Sequence, residues 1–213
     1  MRGKGKAAEA HSGGYFREWL IATDRNLREG SGAEVPCGDC TACCRAGQFI
    51  HVGIDEAEAL AAIPRQLLFP APGTSSFLLL GHDHRGHCPM LRDEGCSIYE
   101  VRPKACRSYD CRIFPATGVE PPDTQGEVAL AAGSWKFQYA DQAEQSLHAA
   151  AIRAARFIEA HRDEILPGAA ANEIQLALAA LKCAQLFTAA ETPSAAAVAA
   201  AMSTNPKTPQ EAT

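Results

Sequence analysis

The chain has 213 residues, a formal net charge of −5 and a hydrophobic content of 46%, so on size it forms one domain, or one domain with an extension. An acidic balance, with no basic tract beyond the thin start at residues 2–6, argues against nucleic-acid binding. No apolar run approaches the roughly 20 residues that span a bilayer, and no apolar signal core follows the basic N-terminus. We therefore expect a cytoplasmic protein that contacts neither nucleic acid nor membrane.

The first half of the chain predicts one longer helix and several short elements. The pattern predicts a flexible start at residues 1–13, a helix over 14–29 that stops at Gly30, a strand at 48–53, a helix from a capping box at Asp55 to before Pro64, a loop at 70–73, a buried strand at 77–80, and a hairpin turn at 81–86 that returns through Cys88.

The second half is predicted to be mainly helical. Pro103 marks the entry of a short helix that carries Cys106, with Cys111 at or past its end. Further on, the sequence predicts a loop at 115–126, a long helix whose apolar face runs from Phe137 to Ile158 and which Pro167-Gly168 closes, a second helix at 174–186, and a flexible tail from residue 192.

These elements predict an α+β fold. We expect a small irregular, metal-stabilised cysteine-cluster domain with short strands at residues 14–126, and a helical hairpin at 127–191 that packs on it. Flexible segments at 1–13 and 192–213 flank them.

Eight of the nine cysteines lie between residues 37 and 111, and four of these fall within eight residues. A turn brings residues three apart to within about 7 Å, so neighbouring thiolates of this run can share one ion. The candidate metal ligands are Cys37, Cys40, Cys43, Cys44, Cys88, Cys96, Cys106 and Cys111. The ninth, Cys183, lies on an apolar helical face and is predicted to be an ordinary buried thiol.

The expected compartment decides between metal and disulfides. In an oxidising compartment eight thiols could form four disulfides, whereas in a reducing cytosol the same clustering favours metal binding. Thiolate ligands suit Zn²⁺ or an iron–sulfur cluster, and the sequence does not distinguish these two cofactors.

The spacing of the first run resembles that of ferredoxin-type sites. Cys37, Cys40 and Cys43 have the two-residue gaps that supply three ligands of one cluster, with the fourth ligand coming from any of the four later cysteines. The side chains of adjacent Cys43 and Cys44 point in different directions, so both cannot bind one tetrahedral ion without straining the backbone. Cys44 therefore serves a second ion, bridges two ions or stays unligated. Eight cysteines divide into two four-thiolate sites, or one cluster plus a zinc, and the spacing does not assign the partners.

Basic side chains flank the cysteines. Arg102 and Arg107 lie beside Cys106, and Arg45 beside Cys44, where they can offset the net negative charge of a four-thiolate site or simply be solvated. The histidines at 82, 84 and 87 could add imidazole ligands, but polar turns collect such residues for local reasons, and we favour that interpretation.

The order of these motifs identifies a family resemblance. The run from Cys37 to Cys44, the segments Cys88-Pro89, Gly95-Cys96-Ser97-Ile98-Tyr99 and Arg102-Pro103, and the pair Cys106 and Cys111 together resemble the YkgJ-type cysteine-cluster family of zinc- or iron-chelating domains. The resemblance covers residues 37–111 and implies metal binding; some members are labelled iron–sulfur oxidoreductases. Similar clusters occur in flagellin lysine N-methylases, which are longer, and no methyl-donor motif is recognisable here.

We therefore predict a metal-binding protein in which zinc or iron is held for structure or for metal handling. The alternative is an iron–sulfur enzyme or electron carrier, or more distantly a protein-lysine methylase. The predicted partner is a metal ion, and a protein partner is left open.

Overall fold

The computed structural model describes residues 11–29, 35, 37, 40–122, 126–166 and 172–203. The helices are α1 (Phe16–Glu29), α2 (Ala42–Arg45), α3 (Ala57–Ala62), α4 (Lys104–Ser108), α5 (Ile113–Thr117), α6 (Gly126–Ser134), α7 (Gln142–Ala160), α8 (Arg162–Ile165), α9 (Glu173–Cys183) and α10 (Ala195–Ser203). The strands are β1 (His11–Tyr15), β2 (Ile50–Gly53), β3 (Leu68–Pro70), β4 (Phe77–Leu80), β5 (Leu91–Arg92), β6 (Gly95–Cys96) and β7 (Trp135–Gln138). The predicted α+β class is confirmed.

The chain divides into two compact units that exchange segments along the sequence. Unit 1 comprises Met1–His11, Ile21–Arg112 and Pro121–Trp135, and unit 2 comprises Ser12–Leu20, Ile113–Glu120 and Lys136–Thr213. Residues 1–10 of the predicted flexible start at 1–13 lie outside the described residues, and the prediction is wrong for residues 11–13, which belong to strand β1. The predicted helix stop at Gly30 and the closing pair Pro167-Gly168 also lie outside the described residues.

Unit 1 is built on a three-stranded antiparallel sheet with the order β2-β4-β3. Ile50 pairs with Leu80 and Val52 with Leu78, so the apolar run of β4 forms the centre of the sheet. Val52 and Leu80 are buried, and with Ile63 of the chain after α3 they belong to the apolar core of this unit. The same core includes Cys88, which brings a candidate ligand against the sheet.

The hairpin predicted to return from β4 through Cys88 is wrong. Strand β4 pairs with β2 and β3 instead, and the chain after it turns around Asp83. The Asp83 carboxylate accepts hydrogen bonds from the backbone N–H groups of Arg85 at 2.8 Å and His87 at 2.9 Å. These hydrogen bonds lower the pKa of Asp83 to about 2, and the bond from His87 has the largest effect. Where the sequence predicted a returning strand, the structure has a turn that the Asp83 carboxylate stabilises.

Two further details of unit 1 correct the sequence analysis. Helix α3 begins after Glu56, which has no side-chain cap bond to its own helix, so the predicted capping box at Asp55 is wrong. The Glu56 carboxylate instead accepts the backbone N–H of Gly53 at 2.7 Å and that of Lys104 at 2.6 Å. The loop predicted to begin at Pro70 begins at Ala71, because Pro70 is the last residue of edge strand β3, where its missing N–H costs little.

Unit 2 contains the predicted long helices, α7 and α9, which pack against each other through alanine-rich faces. Helix α7 starts at Gln142, where the Asp141 side chain accepts the N–H of Glu144; Phe137 lies on strand β7 rather than on the helix. The predicted loop at 115–126 contains the end of α5, the start of α6 and residues 123–125, which lie outside the described part.

The prediction of a flexible tail from residue 192 is wrong for its first part, because helix α10 occupies Ala195–Ser203. Val198 of this helix is fully buried beside Cys183, whose predicted burial is confirmed. Residues 204–213 lie outside the described part. No helix in the described residues is long and apolar enough to cross a bilayer.

One buried and one partly buried polar side chain connect segments of unit 2. Glu144 is 2% exposed, and its carboxylate accepts the backbone N–H groups of Arg17 and Ala140, each at 2.6 Å. His148 stacks on Phe16 with ring centroids 4.4 Å apart, and its Nε2 lies 3.0 Å from the Pro115 carbonyl oxygen.

Candidate metal centre

All eight clustered cysteines line one cavity of about 630 Å³ within unit 1. The cavity wall is otherwise mainly apolar, with Leu80, Ile98 and Val128 among its side chains. Cysteines that are 74 positions apart in the sequence, from Cys37 to Cys111, are thus brought to one place by the fold.

The first cysteine run enters α2 through a tight turn. The backbone N–H of Cys40 donates to the carbonyl oxygen of Cys37 at 2.8 Å, and Cys43 and Cys44 follow on the helix itself. Consecutive residues of a helix differ by about 100° in direction. The side chain of Cys43 is exposed, whereas that of Cys44 is partly buried and packs against the core of unit 1.

A short hairpin supplies the next two thiols. The backbone N–H of Cys88 donates to the carbonyl oxygen of Cys44 at 2.7 Å, which joins the hairpin to α2. Strands β5 and β6 pair Leu91 with Cys96, and Gly95 takes the positive φ of 114° that this tight turn requires. Cys96 is thereby folded back toward Cys88.

The last two thiols lie on α4 and immediately after it. Pro103 precedes the helix as predicted, and Cys106 lies within it. Cys111, past the helix, is buried and accepts a hydrogen bond from Trp135 Nε1 at 3.2 Å. A buried ion pair between Asp110 and Arg112, 2.7 Å long, flanks Cys111 on both sides in the sequence.

Burial and mutual proximity favour the protonated form of most of these thiols. Desolvation, followed by the nearby thiols, raises the pKa of Cys44 and of Cys106 to about 12. The pKa of Cys111 is raised to about 11, again first by burial, although the Trp135 hydrogen bond opposes the shift. A metal ion that binds here must therefore displace protons from the thiols.

The donor chemistry fits zinc or iron, since a cluster of thiols in one pocket is what these metals select. Among the described residues, no group of three or more Cys, His, Asp or Glu side chains is placed to hold an ion.

Of the flanking arginines, Arg102 lies nearest the site. It lines the cavity, its guanidinium lies 4.0 Å from the centre of the Tyr99 ring, and its charge partly offsets the raised pKa values of Cys37 and Cys106. Arg107 is exposed on α4, and Arg45 is exposed and donates to Thr41 Oγ1 at 3.0 Å. A charge-balancing role for Arg107 and Arg45 stays a prediction.

The three histidines lie in the turn around Asp83, in agreement with the interpretation as a polar turn. His82 is exposed and packs against the Phe49 ring at 5.2 Å, and the cavity lining within the described residues includes none of the three. The histidine that does line the cavity is His51, on β2.

Sequence reasoning missed the groups that surround Cys111. Trp135 is 24 residues further along the chain, and no spacing rule connects an isolated tryptophan to a cysteine. Asp110 and Arg112 are visible as neighbours in the sequence, and their opposite charges were the available signal. None of the nine cysteines, all of them among the described residues, forms a disulfide.

A comparison with known protein families agrees with this arrangement. Residues 36–130 match the family model described as "CxxCxxCC: Putative zinc- or iron-chelating domain". The match includes all eight clustered cysteines and Arg102 and Arg107, and excludes Cys183 and Trp135. No curated protein and no solved structure matches the chain.

Proposed function

We propose that the CxxCxxCC domain of this chain, residues 36–130, binds zinc or iron through its eight clustered cysteines, and that the metal serves structure or metal handling. The observation that carries the proposal is the single cavity into which the fold collects all eight thiols. Ordinary buried cysteines, such as Cys183, are distributed singly through apolar cores.

The energetic scale favours a structural contribution of the metal. Structural zinc contributes an apparent ~10–16 kcal/mol to folding, which is comparable to the ~5–15 kcal/mol stability of a whole domain. The core of unit 1 is small, and two of the apolar side chains around its sheet, Phe49 and Phe77, are 52% and 42% exposed. A metal that crosslinks α2, the β5–β6 hairpin and α4 would compensate for that limited core.

Thiolate ligands of this kind need a reducing environment, so the proposal places the protein in the cytoplasm. The same condition protects the exposed thiol of Cys43 from oxidation while metal is absent.

The test is purification without oxygen, followed by measurement of bound zinc and iron, acid-labile sulfide and visible absorption. Stoichiometric zinc without sulfide and without colour is the expected result for a structural or metal-handling site. A protein that carries no metal and takes up neither Zn²⁺ nor Fe²⁺ when reduced would overturn the proposal.

A second candidate is an iron–sulfur electron carrier or oxidoreductase, and the bond from Trp135 to Cys111 favours it. Hydrogen bonds to cluster sulfurs are one of the means by which proteins set the reduction potential. An indole N–H at 3.2 Å from a ligand sulfur has this geometry. Brown protein with sulfide and iron in equal amounts, bleached reversibly on reduction, would select this candidate over zinc.

A further inference from the structure

We propose that the eight cysteines form two separate four-thiolate sites, divided at the peptide bond between Cys43 and Cys44. The inner site comprises Cys44, Cys88, Cys96 and Cys106, and the outer site comprises Cys37, Cys40, Cys43 and Cys111. This assignment rests on the proposed function and names how the thiols divide, which their spacing in the sequence does not determine.

Helix α2 supplies the division. Cys43 and Cys44 occupy successive helical positions, so their side chains leave the helix about 100° apart. Cys44 packs against the unit 1 core, and Cys43 is exposed. Two thiols that leave a helix in such different directions cannot both reach one tetrahedral ion without distorting the helix.

The inner site lies against the unit 1 core. Cys88 is a buried member of that core, and both Cys44 and Cys96 pack on it. The backbone N–H of Cys88 donates a hydrogen bond to the carbonyl oxygen of Cys44 at 2.7 Å, and Cys96 pairs with Leu91 across the β5–β6 hairpin. These contacts fix the three cysteines relative to one another. The fourth member, Cys106, lies on helix α4, which packs on strand β2, whose Val52 belongs to the same core.

The outer site lies at the start of the cysteine run. The backbone N–H of Cys40 donates a hydrogen bond to the carbonyl oxygen of Cys37 at 2.8 Å, and Cys43 follows on the first turn of α2. Cys111 lines the same cavity and is held in place by the hydrogen bond from Trp135 Nε1.

Arg102 gives the two sites a shared positive charge. It lies on the wall of the cavity that all eight thiols line, with its guanidinium 4.0 Å from the centre of the Tyr99 ring. Each four-thiolate site carries a net charge of about −2 with Zn²⁺, so a cation within reach of both reduces their mutual repulsion.

The experiment loads the full-length, reduced protein with ¹¹³Cd²⁺, which replaces zinc at thiolate sites, and records its NMR spectrum with the metal content. Two ¹¹³Cd signals and two metal ions per chain are expected. One signal with one ion per chain would overturn the division into two sites. Uptake of no cadmium, zinc or iron at all would instead overturn the proposed function, so the two failures are distinguishable.

Paired substitutions then test the membership of each site. The variants Cys40→Ser/Cys43→Ser and Cys44→Ser/Cys96→Ser each remove two ligands of one site, and each is expected to lose one ion and one signal. The matched variant Cys40→Ser/Cys96→Ser takes one ligand from each site and is expected to lose both ions. Loss of a single ion in this cross-site variant, or of both ions in a within-site variant that stays folded by circular dichroism, would overturn the assignment.

Discussion

Trp135 Nε1 donates a hydrogen bond to Cys111 Sγ at 3.2 Å, and it connects strand β7 to the last cysteine of the cluster. In Trp135→Phe the ring volume is largely kept and the donor is lost. Since partners outside the ligand shell typically change metal affinity on the order of 10–100-fold, we expect weaker zinc binding of that size. For an iron–sulfur cluster we expect a more negative reduction potential, because the bond stabilises the reduced, more negative state.

Competition with a chromophoric chelator measures the zinc affinity, and redox titration measures the potential. Trp19→Phe is the matched control, since Trp19 is a buried tryptophan of unit 2. Equal metal affinity and potential in the two variants would remove Trp135 from the site.

The buried ion pair between Asp110 and Arg112 is expected to stabilise unit 1. Their side chains are 8% and 11% exposed, so Arg112→Gln removes a positive charge that lies 2.7 Å from a buried carboxylate. Breaking such a pair costs about 3–5 kcal/mol. Arg85→Gln breaks the pair with Asp83, in which Arg85 is 61% exposed, and it should cost less than about 1 kcal/mol. Urea unfolding of both variants with metal bound makes the comparison; similar losses would contradict the structure.

Glu144 is expected to be essential for unit 2. Glu144→Ala leaves two backbone donors, those of Arg17 and Ala140, without their acceptor in a buried place. At about 1–3 kcal/mol for each unsatisfied buried group, we expect a loss of roughly 2–6 kcal/mol, read from denaturant unfolding. Glu159→Ala, an exposed position on the same helix, is the control and should cost less than about 1 kcal/mol. A loss below 1 kcal/mol in Glu144→Ala would show that these bonds do not support the fold.

His148 is expected to make the stability of unit 2 depend on pH. Burial lowers the pKa of His148 in the folded protein below the usual 6.5. The unfolded chain therefore binds the proton more readily, so this contribution to stability is fully present above pH 6.5 and is lost as pH falls toward the folded pKa. The Pro115 carbonyl accepts only, so Nε2 carries the proton, and Nδ1 is left to accept from the Tyr139 hydroxyl at 2.7 Å.

Unfolding free energies at pH 7.5 and pH 5.5 test this expectation. His148→Gln should show a smaller loss of stability between the two pH values than the wild-type chain. His161→Gln, at an exposed histidine after α7, should keep the wild-type difference. The same pH dependence in all three proteins would contradict the role of His148.

Removal of metal is expected to loosen unit 1 and to leave the helices of unit 2 folded. After chelation, hydrogen exchange should accelerate in α2, in the β5–β6 hairpin and in α4, because these elements carry the thiols. Exchange in α7 and α9 should change little, since their core is apolar and holds no clustered thiols. Uniform acceleration in both units, or none in α2 and α4, would contradict a local structural metal.

The sequence was sufficient to predict the features that depend on local spacing. Eight thiols at metal-ligand spacing indicated a metal-binding region, and the fold collects them in one cavity. Helices α1, α7 and α9 followed from apolar periodicity, and the short helix with Cys106 from Pro103. In each case the signal lies within a few residues of the structure that it predicts.

Features that depend on distant contacts were not predictable in this way. The apolar run of β4 indicated a strand but did not identify its partners, β2 and β3. The predicted partner, the segment that returns through Cys88, was therefore wrong. Trp135 reaches Cys111 through tertiary packing alone. Helix α10 was missed because a segment rich in alanine, serine and threonine was taken as flexible, although alanine has the highest helix propensity and Val198 is fully buried.

The distance in sequence between Cys44 and the later ligands has a consequence for biosynthesis. In the proposed division, neither four-thiolate set is complete until Cys106 and Cys111 have been translated. The 67 residues from Cys44 to Cys111 take the ribosome roughly 3–13 s at ~5–20 residues per second. During that interval the nascent chain carries four thiols without their partners. A cell in which oxidants or competing soft metals are abundant would therefore damage this protein mainly while it is being made, and a transcript truncated before Cys106 would yield a chain that can fill neither site.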